Sequence, residues 1–164
     1  MEPSAERQFF NLYNHGFIRV AVCIPEVKVA DVPSNVASTI MLAKQASANN
    51  AILALFPELG ISAYSNEDLF HQDALLTAVI EGLREILQAT RELNTILVVG
   101  APLRVDFRLF NCGIVIYRGR IERRAFAFLS GAVLRLSIPI SIISSLVLKG
   151  IDLRSENSIF PSAT

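Results

Sequence analysis

The apolar positions of this chain fall into runs that alternate between strand-like and helix-like spacing. "FIRVAVCIP" (Phe17 to Pro25) is a short β-branched run closed by a proline, the mark of a buried strand. From Val32 to Asn49 the spacing turns helical. Val36, Ile40, Ala43 and Ala46 recur at steps of three and four, with Asp31 or Ser34 placed to cap the first turn. "AILALF" (Ala51 to Phe56) has no polar residue, as expected of a parallel strand covered on both faces. A second helix is predicted from Ser65 or Asn66. Glu67 and Asp68 would lie in its first turn, where the helix dipole favours negative charge. Its apolar stripe is Leu69, Leu76, Val79, Ile80, Leu83, Ile86 and Leu87, and it ends near Leu93.

"TILVVGAPL" (Thr95 to Leu103) is a third strand. A turn around Val105 to Phe107 leads to a fourth that ends at Tyr117, before a tight turn at "RGR". Strand, helix, strand, helix, strand, strand predicts an α/β layered fold whose sheet begins parallel. After Ile121 the texture changes. "AFAFLSGAVLRLSIPISIISSLVLKGI" is aliphatic without a consistent period. It reaches the length of about 20 apolar residues that spans a bilayer. Arg135 near its middle would cost roughly 2.5–3.5 kcal/mol there, while Pro139 and Ser137, Ser141, Ser144 and Ser145 dilute it. A membrane partner is therefore not expected.

Composition narrows the field further. With 164 residues, 52% apolar and 18% charged, the chain can build one domain with a real core and does not read as disordered. Fifteen basic and fifteen acidic residues cancel, which argues against a nucleic-acid partner. Cys23 and Cys112 both lie inside apolar runs, the pattern of reduced core cysteines and a cytoplasmic setting. The first residues carry no basic start followed by an apolar stretch, so no secretory signal is read. His15 and His71 are isolated, and no metal site is expected.

One acid stands out. Glu58, in "FPELGISAY", follows directly on the second strand, and ligands of parallel α/β sheets bind beyond the carboxyl ends of strands. Placed among Phe56, Leu59 and Ile61, its carboxylate would be partly desolvated, as suits a general base. Equally, such an acid can accept hydrogen bonds from nearby backbone N–H groups and only organise its loop. One acid is not a constellation.

"FPELGISAYSNEDLFHQDALL" (Phe56 to Leu76), with "IRVAVCIPEVKVADVPSNVASTI", "LVVGAPL" and "RLFNCGIVIYRGRI", resembles the nitrilase-like carbon-nitrogen hydrolases. The match is closest to the glutamine-hydrolysing N-terminal domain of glutamine-dependent NAD synthetases, and the "EDLFHQDALL" extension makes it specific. It covers Tyr13 to Ile121 in order. The resemblance implies a partial α-β-β-α sandwich, about the first half of the domain over 13–121, with a divergent tail over 122–164. It also implies a Glu–Lys–Cys triad. The cysteine attacks the side-chain amide of glutamine, the glutamate moves protons, and the lysine steadies the tetrahedral intermediate. Ammonia then passes to a synthetase domain that uses ATP to form NAD. Glu58 matches the general base, and Tyr64 matches a position that holds the substrate glutamine.

The other two members of the triad have no counterpart. The family's lysine follows the "GRI" turn, but here "GRI" leads into "ERRAFAFLSG", and Lys149 has neither the spacing nor the context. Cys112 in "FNCGIVI" corresponds to a non-catalytic cysteine of the family, and Cys23 sits in the first strand. No "SGGxDS"-like loop is present, so no cofactor is expected on this chain and ATP would belong to a synthetase domain it does not contain. "KGIDLRSENS" weakly resembles the family's text just before the nucleophile strand. A frameshifted or mis-spliced product and a degenerate domain kept for binding both fit. Expected partners are glutamine in the intact family, and further copies or synthetase subunits. An uncovered sheet face predicts poor solubility for the chain alone.

Overall fold

The computed structural model describes residues 11–105, 107–121, 124–129 and 132–139, the last two stretches as backbone. The periodicity of the first helix is borne out. Helix α1 runs Val32–Ala48 and buries Val32, Asn35, Val36, Thr39, Ile40, Ala43 and Ala46. Asp31 is its cap, with Oδ1 accepting from the Ser34 N–H at 3.2 Å. Helix α2 runs Asp73–Ala89 and buries Leu75, Leu76, Val79, Gly82, Leu83, Ile86 and Leu87.

The second helix starts later than its acidic first turn predicted. Glu67–His71 forms a separate 3-10 turn, and Gln72 is extended, with φ −80° and ψ 128°. The i→i+3 bonds from Leu69 N–H to Asn66 O and from Gln72 N–H to Leu69 O complete that turn. The acid in the first turn of α2 is Asp73, which pairs with Arg104.

Strands β1 (Val20–Val22), β2 (Leu53–Leu55) and β3 (Ile96–Val105) are parallel, in the register Val20–Leu53–Ile96 and Val22–Leu55–Val98. A hairpin turns the chain into β4 (Arg108–Tyr117), antiparallel to β3 with Gly100 opposite Gly113 and Pro102 opposite Asn111. The short β5 (Arg120–Ile121) folds back on β4. Strands β6 (Arg124–Leu129) and β7 (Ala132–Pro139) then extend the sheet, with Asn111 opposite Phe128. The order is β1-β2-β3-β4-β6-β7, with β5 off the path. The aliphatic stretch after Ile121 thus begins as sheet. Among the described residues no helix is long and apolar enough to cross a membrane.

Both helices lie on one face. Leu97, Val99, Ala101 and Leu103 of β3 and Cys112, Ile114 and Ile116 of β4 point into the core they cover and are nearly inaccessible. Each of the buried leucine, valine and isoleucine side chains contributes about 1.5–3 kcal/mol. The helices meet at Gly82, where a Cβ would fall 2.6 Å from Val36 Cγ2.

Along β1 and the end of β2 the opposite face is bare among the described residues, while the loop after β2 covers it at Gly100. Val20, Val22 and Leu55 share it and are 43%, 74% and 36% exposed. Strand β1 is therefore not the buried strand its composition implied. It forms the edge of the described sheet, and its outward side chains have no covering layer among the described residues.

Candidate active site

The site is built where β2 runs out. The Phe56 N–H still bonds to Val98 O at 3.0 Å, after which the chain leaves the sheet plane. Residues 57–63 coil into tight turns, closed by Gly60 N–H to Pro57 O at 3.2 Å and by Ala63 N–H to Leu59 O at 2.9 Å. Two non-glycine residues of this loop, Leu59 (φ 52°) and Ala63 (φ 76°), are left-handed. Such backbone costs roughly 1–2 kcal/mol per residue and persists only where the surroundings impose it.

Three contacts impose it here. Gly100 of β3 lies directly beneath the loop. A Cβ there would fall 2.4 Å from Pro57 O, 2.6 Å from Leu59 N and 2.9 Å from Glu58 Cα. Its own carbonyl accepts from the Ile61 N–H at 3.2 Å. From the helix side, fully buried Asn35 donates to Ile61 O at 3.1 Å and to Lys28 O at 2.8 Å, and accepts from the Lys28 N–H at 2.7 Å. At the far end, buried Asn66 donates to Ser62 O at 2.8 Å and Ala63 O at 2.7 Å.

Glu58 rides on this loop beside a cleft of about 330 Å³ lined by Phe56, Pro57, Val98, Gly100 and Asn111. Its Oε1 accepts a hydrogen bond from Asn111 Nδ2, on the strand beyond β3. The desolvation expected from Phe56, Leu59 and Ile61 is not found. Leu59 and Ile61 turn inward and are buried, while Glu58 is exposed, with no layer over it among the described residues. Nor, among the described residues, does it accept from backbone N–H groups; its hydrogen bond there is from the Asn111 side chain.

Tyr64 is 70% exposed and does not line the cleft, so the structure does not bring it together with Glu58. Cys112 borders the cleft, yet only 1% of it is accessible. Burial pushes its thiol up to about 12, and burial also raises Cys23. Neither forms a thiolate near neutral pH, so neither is a ready nucleophile. No metal-holding group of His, Cys, Asp and Glu occurs among the described residues.

Sequence reasoning missed Asn35, Gly100 and Asn111. The available signals were a polar residue within the apolar stripe of α1 and an asparagine interrupting the apolar run of β4. Only the register shows that Asn111 faces the loop after β2.

The carbon-nitrogen hydrolase family model matches residues 19–123. The glutamine-dependent NAD(+) synthetase of Mycobacterium tuberculosis is 42% identical over 113 residues, which are 69% of this chain and 17% of that protein. The chain thus spans about a sixth of the length of the curated relatives it matches. Among solved structures, a glutamine-dependent NAD(+) synthetase from Cytophaga hutchinsonii superposes with a TM-score of 0.63 at 26% identity, over 70% of this chain and 20% of that one. An amidase from Nesterenkonia sp. shares the fold with a TM-score of 0.60 at 19% identity, over 74% of this chain and 48% of that one. With a mixed sheet layered by helices on one face and a family match over most of its length, the chain is a member of the carbon-nitrogen hydrolase family.

Proposed function

We propose that this chain carries the glutamate-bearing part of a glutaminase site, the amidohydrolase unit that releases ammonia from glutamine in a glutamine-dependent NAD synthetase, and that it turns over no glutamine by itself. The observation that carries the reading is Glu58 held at the carboxyl end of β2, over Gly100 and beside an open cleft. A carboxylate so placed can take a proton from a nucleophile and return it to the leaving ammonia. Nucleophile and oxyanion stabiliser are not supplied by the two buried cysteines, nor by any lysine between Ile121 and Leu148.

The test replaces the matched segment of the Mycobacterium tuberculosis synthetase with residues 19–121 of this chain. The chimera forms NAD from glutamine, and Glu58→Gln abolishes that activity while synthesis from added ammonia persists. Glutamine-dependent synthesis that survives Glu58→Gln overturns the reading. The isolated chain releases no ammonia from glutamine above the blank.

A second reading, a non-catalytic module docking on intact synthetase subunits, is favoured by the bare aliphatic face of Val20, Val22 and Leu55. The apolar stripe of α2 is already used within the fold, so the sheet and not that helix offers the surface. Failure to co-purify with a full-length synthetase removes this reading.

A further inference from the structure

We infer that Asn111 is the positioning residue for Glu58, an uncharged donor that keeps the carboxylate oriented through a cycle of proton uptake and release. This rests on the reading of Glu58 as the proton-moving group. The two residues are 53 positions apart in sequence, and the sheet alone brings them together. Asn111 sits at mid-strand in β4, opposite Pro102 of β3 and Phe128 of β6. Its Cα is therefore fixed from both sides. The alternation of β4 sends Phe110 and Cys112 to the helix-covered core, and it sends Asn111 to the bare face, where the loop after β2 arrives. Among the described residues, the Asn111 amide is the side-chain partner that Glu58 has.

The choice of an amide has chemical consequences. A lysine or arginine at this position would orient the carboxylate equally well, but its charge would stabilise the ionised form and oppose proton uptake. An amide N–H carries no net charge. The bond it makes to Oε1 also survives proton uptake on Oε2, since a protonated carboxyl keeps its carbonyl oxygen as an acceptor. Glu58 can thus alternate between base and acid without its orientation being lost. An exposed glutamate with no such partner would sample several rotamers, and only a fraction of them would face the cleft.

The experiment is a pH titration of the uniformly labelled full chain by NMR, following the Asn111 side-chain N–H pair and the Glu58 side-chain carbons. In the parent chain, one Asn111 amide proton is displaced and moves with pH. In Glu58→Gln that movement disappears. In Asn111→Leu, the Glu58 side-chain relaxation rises to that of exposed Glu85, and Asn111→Gln restores it in part. An Asn111 amide that ignores pH, or that titrates equally in Glu58→Gln, overturns the inference. So does unchanged Glu58 mobility in Asn111→Leu. The parent and Glu58→Gln titrations decide the matter even where Asn111→Leu does not fold. None of these readouts needs turnover. An inactive chimera with an intact Asn111–Glu58 signature defeats the functional reading alone, whereas an active chimera without the signature defeats this inference alone.

Discussion

A Cβ on Gly100 would lie 2.9 Å from Glu58 Cα and closer still to the backbone on either side of it, so the glycine sets the height at which the acid stands above the sheet. The obstruction is backbone, which cannot rotate aside as a side chain does. Gly100→Ala is therefore expected to lower stability by about 3 kcal/mol, at the upper end of ordinary overpacking costs. It should also displace Glu58 from Asn111. Urea denaturation measures the first effect and the Asn111 amide shift the second. A midpoint unchanged from the parent chain would show that the loop does not rest on β3.

Asn35 joins the β1–α1 connection to the loop that carries Glu58. Replacing it with leucine leaves Ile61 O without its partner in a buried site, and both backbone groups of Lys28 without theirs in a half-buried one. Each unsatisfied group costs about 1–3 kcal/mol, and relaxation recovers part of the sum. A loss of about 3 kcal/mol is expected, with faster amide exchange at Ile61 and Ala63. Asn35→Leu with the parent's exchange rates would contradict this.

The Cys112 thiol is held at about 12 by burial, against 9.0 for the free group. The folded state binds this proton more tightly than the unfolded state does. Its contribution is fully present below about pH 9 and is lost as pH rises toward about 12, with a slope near 1.4 kcal/mol per pH unit for one proton. Cys112→Ala should flatten that alkaline decline. In the native chain at pH 8, iodoacetamide should leave Cys112 unmodified until urea is added. Rapid native labelling would show that the strand opens locally.

Phe107, at the tip of the β3–β4 hairpin, is fully exposed and left-handed, with φ 62°. A phenylalanine gains nothing from packing there and bears the cost of that backbone. Phe107→Gly should raise stability by about 1 kcal/mol, because glycine adopts this conformation freely. Thermal denaturation of the two chains is the check, and a lower midpoint for glycine would exclude a left-handed tip.

Much of the architecture was legible because it depends on neighbours in sequence. Asp31 and the three-and-four spacing from Val36 to Ala46 mark α1 wherever the helix later packs. The failures share a different cause. "FIRVAVCIP" has the composition of a central strand, but composition does not say whether anything lies beyond Val22, and here β1 is the edge. Glu58 looked shielded because its neighbours in sequence are apolar, whereas the turns at Leu59 and Ile61 aim those side chains inward and leave the acid outside. The partnership with Asn111 depends on a register between distant strands, which no local pattern encodes. The start of α2 was misplaced because Glu67 and Asp68 suit the first turn of any helix, a 3-10 turn included.

The bare face has a consequence for the order of events during synthesis. Strands β1 to β5 are complete by Ile121, so a chain emerging from the ribosome can assemble both helices and five of the seven described strands before the later residues exist. Translation adds about 5–20 residues per second, so Val20, Val22 and Leu55 face solvent for seconds while the later residues are added, and they still do so in the fold. A surface of that kind is what chaperones bind on nascent polypeptides. Until those aliphatic side chains are covered, they are the surface through which a nascent chain would first meet other apolar groups.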